Sequence, residues 1–230
     1  MKRSEVNRLQ RAALALFAEH RFPLPPFATW SESEWRGDLD TASYCHAHQM
    51  GWDITDFGSA DFDKRGLVVF CLRNGLQSVA SEKPYAEKLL VVRENQETPH
   101  HSHRVKMEDI IVRGGGNLIL ELHNMSAAGG LADTPVTIMV DGTRRGLAPG
   151  APLRLEPGQS ATITRDLWHR FYGEAGTGTV FVGEVSQVND DLTDNYFFEK
   201  IGRFAGIDED EPKLFPLWNE LSRLGATATA

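Results

Sequence analysis

The feature that most limits what this chain can fold into is a cadence of short apolar runs, each broken off by glycine, proline or Asp-Gly. Leu67–Leu72, Lys88–Val92, Asp109–Val112, Asn117–Leu122, Val136–Val140, Leu153–Leu155, Ala161–Ile163, Trp168–Phe171 and Thr179–Val185 are rich in β-branched and aliphatic residues. Asp141-Gly142 sits between two such stretches and carries a hairpin signal, because both residues tolerate positive φ. At least seven short strands so spaced predict a mainly β sandwich or barrel. Gly114-Gly115-Gly116 runs strand to strand and lacks a following Gly-Lys-Ser/Thr. It reads as a tight turn and not as a phosphate cradle.

The flanks read differently. Val6, Leu9, Ala13, Leu16 and Phe17 recur at helical spacing, which predicts a helix from residue 4 to about residue 20 with Ser4 as its N-cap. The charges at Glu5, Arg8 and Arg11 and the short apolar core argue against an export signal there. Phe22–Phe27 holds three prolines and predicts an extended arm. Trp30, Trp35 and Trp52 lie near it, as core or as stacking faces. Asp53 to Gly58 reads as turns, and the tail from Gly225 to Ala230 as disordered. The expected division is one domain in three parts: residues 1–60 as helix and arm, 61–215 as the β body, and 216–230 as a C-terminal segment and tail. No stretch is long enough to span a membrane.

A net charge of −8 argues against nucleic acid as a partner, since phosphate binding needs a basic surface. Two cysteines, Cys45 and Cys71, form no disulfide framework, so a reducing, cytoplasmic setting is expected.

The chemistry is concentrated in Pro99-His100-His101-Ser102-His103-Arg104-Val105-Lys106-Met107-Glu108-Asp109. On a strand, His101 and His103 face the same way, because side chains alternate with period two. Glu108 has the wrong parity to join them on one regular strand. A turn or bulge near Val105–Met107, or a move onto the next strand, brings it round. Imidazole plus carboxylate suits a divalent transition metal. Cys45-His46-Ala47-His48 has the same His-x-His spacing, but no carboxylate or third histidine follows nearby and its flanks do not alternate. His169, beside Trp168 and Phe171, is a candidate fourth ligand.

Together these residues resemble the cupin superfamily. Its first motif, His-x-His, three or four residues, Glu, six residues, Gly, is matched by His101, His103, Glu108 and Gly115. Its second, Gly, five residues, Pro-x-Gly, two residues, His, keeps its spacing from Gly158 to His169, with Thr164 and Asp166 in place of the proline and second glycine. The resemblance implies a double-sheet jelly-roll barrel with one metal ion inside, held by His101, His103, Glu108 and His169. Over nearly the whole chain the sequence is similar to one cupin group, the D-lyxose ketol-isomerases. Gly51–Gly58, Pro84–Lys88, Lys106–Ile111, Gly183–Ser186 and Asn189–Asp191 carry that likeness. It implies a manganese-dependent aldose–ketose isomerase acting on D-lyxose and often on D-mannose, a small-molecule sugar as partner, and a homodimer.

Such a reaction needs a metal to stabilise charge on the sugar oxygens and a base to move a proton between C1 and C2. Glu184 is the first candidate base, on the strand after His169, where desolvation in a barrel interior would raise its pKa. Lys106, three residues after His103, and Lys88, ahead of an apolar strand, are candidates to orient sugar oxygens. Asp190, Asp191 and Asp194 are candidates to bind distal hydroxyls. Either lysine is also at home as a solvated charge, and the aspartates as turn caps. The same His/Glu set also holds iron or nickel in cupin dioxygenases, and a non-catalytic sugar-binding cupin would present the same face.

Overall fold

The computed structural model describes residues 1–224, so the tail expected to be disordered lies outside the described residues. The chain builds three helices, α1 (Arg3–Glu19), α2 (Glu32–Gly37) and α3 (Leu39–Ala47), before its strands begin. The strands are β1 (Gly51–Thr55), β2 (Leu67–Arg73), β3 (Tyr85–Val92), β4 (Thr98–Ser102), β5 (Glu108–Gly115), β6 (Leu118–Asn124) and β7 (Val136–Val140). They continue as β8 (Thr143–Leu147), β9 (Pro152–Leu155), β10 (Ser160–Ile163), β11 (Leu167–Gly173), β12 (Val180–Gln187) and β13 (Tyr196–Phe197).

These strands form an eight-stranded sheet, in the order β1-β2-β3-β12-β5-β10-β7-β8, and a five-stranded sheet, β13-β4-β11-β6-β9. Every pairing within them is antiparallel, as expected of a double-sheet jelly roll. Among the described residues no strand pairing joins the two sheets, so the body is an open sandwich and not a closed barrel. The exposed edge is protected chemically: β8 presents Thr143, Arg144 and Arg145 to solvent.

The core between the sheets is built by alternate residues. Leu67 and Val69, Leu90 and Val92, Ile110 and Val112, and Val180 and Val182 face Leu118, Leu120, Leu122, Leu153 and Leu155. The intervening residues of β2, β3 and β12 meet a second apolar layer, so these strands read as unbroken hydrophobic runs. Val68, Phe70, Leu89, Val91 and Phe181 pack on Val6, Leu9, Ala13 and Phe17 of α1. Burying each large side chain there is worth about 2 kcal/mol. β7 has solvent on one face, and its burial alternates from Val136 to Val140.

Trp52 stacks on Phe17 with ring centroids 6.4 Å apart, and Trp35 meets Trp30 edge-on at 4.9 Å. All three tryptophans thus serve packing. The arm after α1 stays extended at Pro25 and ends in a 3-10 turn, Pro26–Thr29, with a proline at its first position where no N–H is needed. Asp141 and Gly142 both take positive φ, 49° and 76°, and close the β7–β8 hairpin as expected.

The structure departs from expectation in two places here. Ser4 does not cap α1, which starts one residue earlier at Arg3. Instead its N–H and Oγ–H donate to the carboxylate of Asp210, at 2.8 and 2.7 Å. The anion at the helix N-terminus is thus supplied by a distant segment. The stretch read as turns from Asp53 begins as β1, whose five residues are all buried.

Candidate active site

His101 on β4 and His169 on β11 are direct cross-strand partners in the five-stranded sheet, with ring centroids 4.0 Å apart. His103 follows just past the end of β4, its ring centroid 5.2 Å from that of His101. The chain then turns through Arg104–Met107 and enters β5 at Glu108, on the opposing sheet. This move between sheets brings the carboxylate to the histidines despite its parity. Glu108 Oε1 lies 3.1 Å from His169 Nε2 and 3.6 Å from His103 Nε2.

Each ring is oriented by a main-chain carbonyl. Nδ1–H of His101 donates to Pro99 at 2.8 Å, that of His103 to Asp194 at 2.6 Å, and that of His169 to Leu167 at 3.0 Å. A carbonyl only accepts, so Nδ1 carries the proton and Nε2 keeps its lone pair. The buried Nε2 atoms of His103 and His169 have no hydrogen-bond partner. One ligand atom from each of His101, His103, Glu108 and His169 lies within 4.8 Å of all the others. Orphaned lone pairs and a carboxylate converging at that distance fit a divalent metal ion. Burial, reinforced by His169 and His103, pushes the His101 pKa well below its ordinary value. Burial also lowers His103, with Lys106 reinforcing it, and ligation requires such neutral imidazoles.

Beside this group runs a chain of ion pairs. Lys106 Nζ is 2.7 Å from Glu108 Oε2 and 2.7 Å from Glu184 Oε1. Burial works to lower the Lys106 pKa, but Glu108 and Glu184 together outweigh it and hold the ammonium above the usual lysine range. Burial works to raise Glu108, and Lys106 and His103 outweigh it, so the carboxyl sits well below its usual range. Glu184 on β12 lies directly opposite Lys88 on β3, whose Nζ is 3.6 Å from Glu184 Oε1 and 3.7 Å from Asp191 Oδ1. Arg203 Nη2 completes the chain, 3.0 Å from Asp191 and 2.5 Å from Asp53. Lys88 and Lys106 are therefore buried charges and not solvated ones.

The cavity between these groups holds about 470 Å³ of empty space, its solvent mouth included. It is lined by Glu108, Lys106, Glu184, Lys88, Asp191 and Arg203, with Phe57 and Phe197 among its apolar walls. Asp190 and Asp194 lie outside that lining. The Asp190 carboxylate accepts from Gln49 Nε2 and Thr193 Oγ, at 2.9 and 2.6 Å. That of Asp194 accepts main-chain N–H groups of the β4–β5 loop. The Cys45–His48 segment ends helix α3, where His48 contacts the Tyr44 carbonyl and Glu82. Among the described residues no metal-holding group forms there.

Sequence reasoning missed Arg203, Asp53 and Asn195, whose Nδ2 donates to Asp191 at 2.9 Å. Arg203 lies in a stretch without periodicity. The one signal for it was the pair of buried aspartates it serves, Asp53 and Asp191, each within a segment already singled out for its likeness.

A sequence profile for the family described as D-lyxose isomerase matches residues 1–221. The chain is 46% identical over 226 residues to a D-lyxose/D-mannose isomerase of Serratia proteamaculans, covering 97% of this chain and 99% of that one. It is likewise 46% identical to a D-lyxose/D-mannose isomerase of Escherichia coli O157:H7, over 96% of this chain and 98% of that one. Among solved structures, an L-ribose isomerase of Acinetobacter sp. DL28 in complex with L-ribose superposes with a TM-score of 0.61 at 16% identity, covering 90% of this chain and 98% of that one. At that identity the likeness concerns the fold.

Proposed function

The chain belongs to the D-lyxose isomerase family, and from that premise we propose that it is a metal-dependent aldose–ketose isomerase. Its reactions are D-lyxose to D-xylulose and D-mannose to D-fructose. The observation that carries this reading is the meeting of a three-histidine, one-carboxylate group with a second carboxylate, Glu184, held by Lys106, beside one cavity that His101, His103, Glu108 and Glu184 line.

His101, His103, Glu108 and His169 would hold the ion, Mn2+ in this proposal. Bound there, it would supply Lewis-acid stabilisation of negative charge on the sugar oxygens at C1 and C2. Glu184 removes the proton from C2 of the open-chain aldose, and the C–H electron pair becomes the C1–C2 double bond while the C1 carbonyl pair moves onto O1, giving an enediolate. Returning that proton to C1, with transfer of the hydroxyl proton from O2 to O1, leaves the C2 ketone and a C1 hydroxyl. Lys106, between Glu108 and Glu184, offers N–H donors to the oxygen that gains charge in the first step and orients the base. Lys88, Asp191 and Arg203 line the cavity away from the histidines, and we assign them to the distal hydroxyls. The apolar wall around Phe57 and Phe197 limits water around the reacting carbons.

A homodimer in a reducing, cytoplasmic setting completes the proposal. Support for the setting comes from Cys45 and Cys71, which are both free and buried. Among the described residues no helix is long and apolar enough to cross a membrane.

The test is to strip the protein with chelator, restore Mn2+, and assay ketose formation from D-lyxose and D-mannose while following oxygen uptake. Metal-dependent ketose without oxygen uptake is expected. Bound metal with no ketose from either sugar would overturn the isomerase reading, and oxygen uptake with another substrate would replace it.

A further inference from the structure

The loop between β4 and β5 carries three groups of the site within six residues: His103 at its start, Lys106 inside it and Glu108 at its end. A short crossing between sheets leaves main-chain N–H groups with no strand partner, and buried donors of this kind must be satisfied elsewhere. Here three consecutive donors converge on one side chain. Asp194 Oδ1 accepts from the N–H of Arg104 at 2.8 Å and of Val105 at 3.1 Å. Its Oδ2 accepts from Val105 at 3.2 Å and from Lys106 at 3.0 Å. The main-chain carbonyl of the same residue accepts Nδ1–H of His103. Asp194 is 2% exposed, so these donors take the place of solvent around its charge.

We propose that Asp194 is a positioning residue for the metal centre, one that sets the His103 ring through its carbonyl and the Lys106–Glu108 end of the loop through its carboxylate. This rests on the reading of His103 and Glu108 as metal ligands. Both carboxylate oxygens are spent on the loop and neither lines the cavity, so the side chain has no free acceptor to offer a sugar hydroxyl. Asp190 acts one step further out. Its carbonyl accepts the Asp194 N–H at 2.9 Å, and its carboxylate accepts that of Leu192 at 3.0 Å, which fixes the turn that presents Asp194.

The test compares full-length wild type with D194A and D194N. Mn2+ affinity is measured by electron paramagnetic resonance, with the melting temperature taken in chelator and kcat and KM taken separately at saturating Mn2+. D194A is expected to weaken Mn2+ binding about 10- to 100-fold, the range for groups that orient metal ligands. D194N, which keeps the shape and one acceptor, should fall between it and wild type, with an altered line shape of the bound ion. The D-lyxose KM at saturating metal should stay within about twofold of wild type. Unchanged Mn2+ affinity in both variants would overturn the proposal, as would a KM raised about tenfold with metal binding intact. If neither variant folds in chelator, the role belongs to the fold and the proposal also fails. Absence of Mn2+ binding by wild type would instead sink the metal reading on which this inference stands.

Discussion

At one end of the cavity three imidazoles and a carboxylate converge, and each ring is fixed by a main-chain carbonyl. At the other, Lys88, Lys106 and Arg203 alternate with Glu184, Asp191 and Asp53, and each side chain is held mainly by another. The first end is set by strand geometry: it exists once β4 pairs with β11 and the chain crosses to β5 on the opposing sheet. The second depends on mutual charge, so removing one member exposes the rest to an uncompensated desolvation penalty. Glu108 belongs to both, with Oε1 toward the histidines and Oε2 toward Lys106.

The sharpest way to separate the two ends is to remove one of the proposed metal ligands. His101→Ala or His169→Ala should lose bound Mn2+ and activity together, with affinity falling beyond the roughly 100-fold seen for groups that merely orient ligands. Metal analysis after dialysis checks this, and full metal content in either variant would remove that histidine from the ligand group. Next, Glu184→Gln should keep the metal and lose turnover by about 10²- to 10⁴-fold, the usual contribution of a general base. Near-normal kcat in that variant would pass the base to another residue. Third, Arg203→Met should cost about 3–5 kcal/mol by stranding Asp53 and Asp191, a fall in melting temperature of the order of 10 °C, while Mn2+ affinity holds. If metal affinity fell as well, the two ends would not be separable.

The smallest effect is in pH. Burial works to raise the Asp191 carboxyl, but Arg203 and Lys88 outweigh it and hold the group well below its usual range. A depressed folded pKa means stability that is complete above the unfolded value of about 3.9 and lost as pH falls through the folded one. Metal-free wild type should therefore lose melting temperature steadily below about pH 4. In Arg203→Met that slope should be shallower, and an identical slope would show that Asp191 draws its stabilisation elsewhere.

The contrast between the two ends also explains what could be read from the sequence. His101, His103 and Glu108 lie within eight residues, and alternation plus one change of sheet brings them together. The chain of ion pairs draws on residues from 53 to 203, and no local pattern announces an Arg203–Asp53 pair. That same pair hid β1. Asp53 has poor strand propensity, and the stretch from Asp53 to Gly58, with a second aspartate and a closing glycine, looks like turns until a buried guanidinium is supplied from 150 residues away. Helix α2 was missed for another reason. Its capping box, Ser31 with Glu34, was present, but the helix is only six residues long, with too little periodicity to register. Lys88 and Lys106 were ambiguous because a lysine in sequence carries no sign of which carboxylates it will be buried against.

β12 shows where this fold leaves room for drift. Val180 and Val182 fill the space between the sheets, Phe181 packs under α1, Gly183 lies against the Arg113 side chain, and Glu184 reaches the cavity. Only Val185 and Gln187 on this strand are exposed. A saturation library across β12 would therefore be tolerant at two positions and unforgiving at the remaining six, whereas the alternating β7 offers change at every second residue. Divergence among relatives is best weighed strand by strand, since one exchange on β12 means more than several on β7.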